Sequence, residues 1–533
     1  MQYRFFLLIV IFSFNVIQDC FAQDPVLYLP LEPTEKTSFK PLINKEDAVY
    51  LTDLQQPEYS QGVSGMALDL SEHAAMRSPV IIGDASITMY DRSTSFSFQI
   101  WVKTMPGALM GTPIAGNIIS EEPAKSGWLI NTQENGAWAL TLKDGENRIE
   151  YIPMPGRQRI NDGDWHLLSF SLNHEKQEAW LYFDGRNVAI INIPGIRNLD
   201  SDSRFVIGGT DEKWEYGSYG QWHAFNGFID EVKIWNRVIS PIEVSSAYSQ
   251  FAENEVSVDW QSPSQIKIMA WNIWHGGHRY GKAVGLKRVI ETIRSSNADI
   301  IGLIETYGSG EEIADSLGYY YYLISSNLSI LSRYPIIETI QAFRPFNFGG
   351  ARILLGPEKE LVFLNTWLHY LPDYSNSIQE GKTVKQLINA ESETRHNEIK
   401  QIISEIEPLL NAIDNVPIVM SGDFNSGSHL DWINRTKEIH YGYEIDWPVS
   451  VEMADAGFVD SYRELHIDPL KDPGFTWTPR AATSSDKYGL RDRIDYIYYQ
   501  GRQLNLVESK IVDDHPVMFP SDHAAVVSVF ELK

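Results

Sequence analysis

A chain of 533 residues exceeds what one ordinary hydrophobic core organises, so two or more domains are expected. A hydrophobic share of 43% and an aromatic share of 12% fit a globular protein, and a formal net charge of -26 argues against nonspecific nucleic-acid binding, because phosphate backbones are held mostly by Lys and Arg. An enzyme that meets a phosphate locally through a metal ion stays open. Residues 1–22 read as a signal peptide: Arg4 supplies the positive start, Phe5 to Ile17 the apolar region, and Cys20-Phe21-Ala22 small residues for cleavage after Ala22. Lipid attachment at Cys20 is the alternative, disfavoured by Asp19. Cys20 is the only cysteine, so a chain cut after Ala22 has neither disulfides nor thiolate-bound metal. No other apolar run is long enough to span a bilayer, and the expectation is an exported protein, periplasmic, extracellular or surface-tethered.

Residues 23–248 read as many short strands broken by Gly, Asp and Asn turns. Ser95 to Val102 alternates polar and apolar residues, and so do Trp165 to Phe170 and Glu178 to Phe183, the last ending in the turn Asp184-Gly185. Such a region predicts an all-β jelly-roll sandwich. The stretches FSFQIWVKT, DGDWHLLSF with WLYFDGR, and GFIDEVKIWNRVIS resemble, in order, the laminin-G-like and concanavalin-A-like jelly rolls. That resemblance implies an accessory domain able to bind a glycan, sometimes with Ca2+, for which Asp230 and Glu231 are the acidic residues to consider. The structural alternative has Asp230 capping a turn and Trp101, Trp165, Trp180 and Trp235 in the core. No carboxylate cluster of the glycosidase kind is present in this region.

Residues 249–264 are polar and unpatterned, a linker by composition. From 265 to 533 strands alternate with amphipathic helices, the texture of an α/β domain. Ile266 to Trp271 is a strand ending at Asn272; a helix is expected over Lys282 to Asn297, then a strand from Asp299 to Ile304 ending at Glu305. Leu361 to Leu368 runs into His369, Glu391 to Ile413 reads as one long helix kinked at Pro408, and Val416 to Met420 runs into Ser-Gly-Asp423-Phe-Asn425. Ile494 to Tyr499 contains Asp495, and Asp522-His523 opens the last strand. Polar groups thus recur at strand ends, where a sheet gathers residues distant in sequence on one rim. Singly each has a structural explanation: Asn272 a loop cap, Glu305 a turn, His369 a core histidine, Asp495 a partner of Arg493 or Arg491, Asp522-His523 a surface turn. Together they do not, because buried carboxylates are costly unless paired or metal-bound.

The blocks MAWNIWHGG, IIGLIET, LNTWLHY, VMSGDFNS, RIDYIYY and PSDHAAV resemble, in the same order, the endonuclease/exonuclease/phosphatase superfamily. The resemblance implies a four-layer α/β sandwich with two central sheets and a phosphoesterase site at one rim. It implies that Glu305, with Asn272 and Asp522, holds Mg2+ or Mn2+, that Asp423 orients or deprotonates water, and that Asn425 donates to developing charge. His523, held by Asp495, would contact phosphate or transfer a proton, and His369 would donate to a phosphate oxygen. Outside the shared pattern, His278 in HGGHRY and Arg344 and Arg352 around the Gly-rich turn RPFNFGGAR could bind a second phosphate or an anionic headgroup; pairing of Arg352 with a neighbouring carboxylate is the alternative. The leading expectation is a secreted, metal-dependent hydrolase of a phosphate mono- or diester. An extracellular nuclease is one competitor, and a glycan-binding surface protein with a catalytically silent second domain is the other.

Overall fold

The computed structural model describes residues 24–32, 49–51, 58–71, 80–82, 94–118, 126–199, 205–209, 225–252, 262–478 and 491–533. The expected signal peptide with Cys20 and most of the expected linker lie outside these residues. Among them, no helix is long and apolar enough to cross a membrane.

The alternating segments of the N-terminal half form strands as expected. Phe96–Lys103, Trp165–Asn173, Glu178–Phe183, Arg186–Asn192 and Phe228–Trp235 lie in one sheet. Gly127–Thr132 and Trp138–Asp144 belong to a second, seven-stranded sheet. Phe96, Phe98, Phe170 and Phe205 pack around the buried Trp128, with ring centroids 4.9 to 5.7 Å from it, and form the centre of a jelly-roll-like core. Of the four tryptophans expected inside, Trp101 and Trp180 are buried, and Trp165 and Trp235 are partly buried against the same cluster. Asp230 is fully buried and accepts N–H bonds from Val63, Ser64 and Glu231. These bonds are of the turn-capping kind.

His166 in this half is the source of a pH dependence. Its Nδ1 lies 2.9 Å from Asp184 and its Nε2 3.0 Å from Asp162. Burial disfavours the imidazolium, but Asp184 and then Asp162 outweigh it and raise the pKa above the ordinary value. A folded pKa raised above the unfolded one stabilises the fold below the unfolded pKa, near 6.5, and that contribution is lost as pH rises through the folded value. Thermal denaturation followed from pH 6 to pH 9 is therefore expected to show a loss of stability that His166→Gln removes.

In the C-terminal half, Gln265–Asn272 pairs in parallel with Ile300–Ile304 and antiparallel with Ala525–Leu532, while Leu328–Ser332 and Tyr320–Leu323 extend the same sheet. A second sheet runs Ile336–Ile340, Phe348–Gly356, Lys359–Trp367, Ile418–Asp423, Asp495–Gln500 and Val459–Asp460. The two sheets meet closely: Asn365 donates from the second sheet to the carbonyls of Leu303 and Ser329 in the first. Gly302 permits this, since a Cβ there would stand 2.2 Å from Ser421 Oγ and 2.6 Å from Asn365 Oδ1. Helix Lys282–Ser296 buries Leu286, Val289, Ile290 and Ile293 beside Met269 and Leu303. Helix Arg395–Glu405 buries Ile399 and Ile402 beside Leu364 and Met420.

Two expectations are corrected here. The long helix over Glu391 to Ile413 is three helices, Val384–Ser392, Arg395–Glu405 and Glu407–Asn411, because Thr394 has non-helical angles and Pro408 stands in the first turn of the third. The turn after Arg344 spans Pro345 to Asn347 and does not contain the glycines: Gly349 and Gly350 lie inside the strand Phe348–Gly356. A Cβ at either would come within 2.6 Å of Ile324 or 2.4 Å of Leu364, so these glycines serve close packing.

The halves are joined more tightly than a linker suggests. Ile190 and Ile191 pair in parallel with Tyr322 and Leu323, which makes one continuous 14-stranded sheet. Asn192 donates to the Ile324 carbonyl at 2.8 Å, and buried Glu178 accepts from Thr339. Asp315 accepts from Gln158 and from the Met154 N–H.

Candidate active site

The strand ends converge. Asn272 ends its strand in register with Ile304, which places Glu305 beside it. In the facing sheet Asp423 ends a strand directly opposite Asp495, the first residue of the antiparallel neighbour. Asn272 spans the gap between sheets: its Nδ2 lies 3.2 Å from Glu305 Oε1 and 3.2 Å from Asp423 Oδ2. Its oxygen accepts from Trp274 N, so it presents its amide nitrogen to the carboxylates. Glu305 also accepts from His275 N at 2.9 Å.

Asp423, Asp495 and His523 form a buried cluster whose ligating atoms all lie within 4.8 Å of one another. His523 Nδ1 is 2.9 Å from Asp495 Oδ2. Burial opposes charge on the imidazole, yet Asp495, with Asp423 and Asp522 behind it, holds its pKa well above the ordinary value. Burial, and then the charge of Asp495, push the Asp423 carboxyl up to about 7, against the pull of His523 and of the N–H donors Asn425 and Asn272. Burial likewise raises Asp522, with Glu305 adding to the effect. Asp495 Oδ1 and Asp522 Oδ1 are buried with no hydrogen-bond partner among the described residues.

Asn425 sits at a φ of 50°, a conformation Asn tolerates better than most residues. Its N–H bonds Asp423 and its Nδ2 donates to the Leu368 carbonyl at 2.9 Å. His369 follows on the loop that Arg395 holds through the His369 and Pro372 carbonyls. Arg395 and Glu391 are a fully buried pair, and Glu391 also accepts from Ser426 beside Asn425.

A cavity of about 840 Å3 opens on this cluster, and Glu305, His369, Asp423, Asn425, His523 and Arg344 are among its lining residues. Arg344 is ion-paired with Glu398. His278 and Arg352, expected to bind substrate, do not line it. His278 bonds Ser309, and Arg352 lies between Glu338 and Glu360 at 3.0 Å each, the carboxylate pairing that was its alternative. Arg352 stands directly across from Glu338 in the strand register, which is what fixes this pairing.

Several supporting residues escaped sequence reasoning. Ser521 donates to the Asn272 carbonyl and accepts from His523 N. Thr476 Oγ1 accepts from the N–H groups of Ile494 and Asp495, and its carbonyl accepts from Ala524 N. Single hydroxyls of this kind carry no pattern; the FTWT block around Thr476 offered only a polar-apolar alternation.

Residues 269–523 match the model of the Endonuclease/Exonuclease/phosphatase family, and residues 78–245 match that of the Concanavalin A-like lectin/glucanases superfamily. The two matches fall on the two halves of the chain, the lectin/glucanases model on the first and the endonuclease/exonuclease/phosphatase model on the second. An uncharacterized protein of Caenorhabditis elegans is 28% identical over 260 residues, 46% of this chain and 82% of that protein. Among solved structures, truncated Caenorhabditis elegans TDP2 shows 16% identity and a TM-score of 0.36, over 50% of this chain and 98% of its own. An AP endonuclease from Archaeoglobus fulgidus shows 17% identity and a TM-score of 0.37, over 50% and 100%.

Proposed function

We propose that the protein is an exported, divalent-metal-dependent hydrolase of a phosphate ester. The observation that carries this reading is the buried Asp423, Asp495 and His523 cluster at the base of a cavity, tied through Asn272 to Glu305. We read the two facing sheets with their outer helices as the four-layer α/β sandwich of the family. The match to the lectin/glucanases superfamily supports a carbohydrate as ligand of the jelly roll.

The donor set, hard carboxylate oxygens without thiol, fits Mg2+ or Mn2+. Glu305 and Asp522 would hold the ion, with Asn272 orienting Glu305 through its amide N–H; the partnerless buried Asp522 Oδ1 supports that fit. When bound, the ion would supply positive charge to the phosphate oxygens and the leaving oxygen. Asp423 accepts the proton of the attacking water, a task suited to a carboxyl whose pKa is raised toward neutrality. Asn425, fixed by Leu368, turns its remaining amide N–H to the developing charge. The His523 imidazolium, oriented by Asp495, donates to the phosphate or to the leaving oxygen, and His369 donates to a further phosphate oxygen. Arg344 stands at the cavity wall, where its pairing with Glu398 limits what it offers to substrate.

The test is a panel of bis-p-nitrophenyl phosphate, p-nitrophenyl phosphate, sphingomyelin, inositol phosphates and plasmid DNA, each incubated with the full chain and Mg2+. Turnover of at least one small ester, with DNA cut poorly, is expected; no turnover of any member would sink the reading.

A further inference from the structure

Resting on the phosphoesterase reading, we propose that Phe346, Trp367 and Tyr370 form a stacking wall. It selects an ester with a single phosphate and a planar aromatic ring over a polyphosphate or an extended polyanion.

The three rings line the cavity and touch in series. Phe346 meets Trp367 edge-on at 5.7 Å and 88°, and Trp367 meets Tyr370 at 5.9 Å and 41°. Phe346 is 43% exposed and Tyr370 51% exposed, so aromatic surface is left facing a concave site. Rings left uncovered in a pocket lose the burial that would stabilise them, and a flat partner restores it.

The wall is built on the same frame as the acid cluster. Buried Asn327 donates to the Phe346 carbonyl at 2.9 Å while its oxygen accepts from Glu305 N at 3.1 Å, so one side chain sets both the wall and the carboxylate. Trp367 is in parallel register with Asp423, and its backbone exchanges hydrogen bonds with Asn347 at 2.8 and 2.9 Å. A ring stacked on this wall therefore lies at a set distance from Asp423.

Charge disfavours the alternatives. Among the described residues lining the cavity Arg344 is the one Lys or Arg, and Glu398, its ion-pair partner, lines the same cavity and competes for it. Glu305, Asp373 and Asp423 line the same space. A second phosphate would meet Glu305, Asp373 and Asp423 with one guanidinium, shared with Glu398, to receive it.

Isothermal calorimetry of the full chain in Mg2+ with phenylphosphonate and methylphosphonate tests this, because the two probes share the phosphonate and differ in the ring. Phenylphosphonate is expected to bind about tenfold tighter, the scale of one ring stacked on aromatic side chains. Trp367→Ala and the surface variant Tyr370→Ala should bring the two within about twofold, and Tyr370→Phe should keep the difference. Equal affinities in the unaltered protein, or a preference untouched by either alanine variant, overturn the proposal. If neither phosphonate binds while an ester of the panel is turned over, the wall alone is overturned; if no ester is turned over either, the phosphoesterase reading falls with it.

Discussion

Asp423→Asn is expected to lower kcat for bis-p-nitrophenyl phosphate by about 10^2 to 10^4-fold, the usual contribution of a positioned general base. An amide at this position keeps the size of the side chain and can still accept from Asn425 N and Asn272, but it cannot take a proton from water. The melting temperature should stay within a few degrees, since the variant removes a buried carboxylate that sits beside Asp495 and is pushed toward the neutral form. A full rate in the variant would remove Asp423 from the chemistry and leave the turn a structural feature.

The largest expected loss of stability lies behind the site. Arg493 is fully buried, with Nη1 2.7 Å from Asp460 and Nη2 2.7 Å from Asp431, while Arg463 reaches Asp431 at 2.8 Å. Burial alone would disfavour the guanidinium, and the two carboxylates hold it charged. Arg493→Met leaves Asp460 buried without its ion partner and Asp431 with one partner in place of two. Removing one member of a buried pair costs about 3–5 kcal/mol. Urea unfolding should register that loss, whereas Arg352→Met, which breaks a more exposed pair with Glu338 and Glu360, should cost less than about 1 kcal/mol. Arg493 precedes Asp495 by two residues, so activity in the methionine variant is expected to fall with the fold.

How much of this was legible from sequence differs by physical cause. Strands that end in a polar group are readable, because an apolar run announces a buried strand and the group after it must lie at the sheet rim. Asn272, Glu305 and Asp423 were found that way and lie at such ends, while His523 stands two residues before the strand Ala525–Leu532 that it was expected to open. The wall residues Phe346 and Tyr370 sit in connecting segments, where no periodicity distinguishes a ring that faces a cavity from one that faces solvent. Glu391 and Arg395 look like an exposed helical ion pair at i and i+4, and they are fully buried because the loops bearing His369 and Asn425 close over them. Arg352 was open between substrate and a carboxylate, and only strand register put it opposite Glu338. The parallel pairing of Ile190 and Ile191 with Tyr322 and Leu323 joins segments more than a hundred residues apart, and such a contact leaves no local trace in either.

The central claim is metal-dependent ester hydrolysis at this rim, and one titration addresses it most directly. The full chain is stripped with a chelator, dialysed, and assayed on bis-p-nitrophenyl phosphate as Mg2+ is returned. Negligible turnover in the stripped protein, and saturable recovery that is reduced when Glu305 is replaced by Gln, is the predicted result. Turnover that survives stripping unchanged, or none at any Mg2+ or Mn2+ concentration, would contradict it.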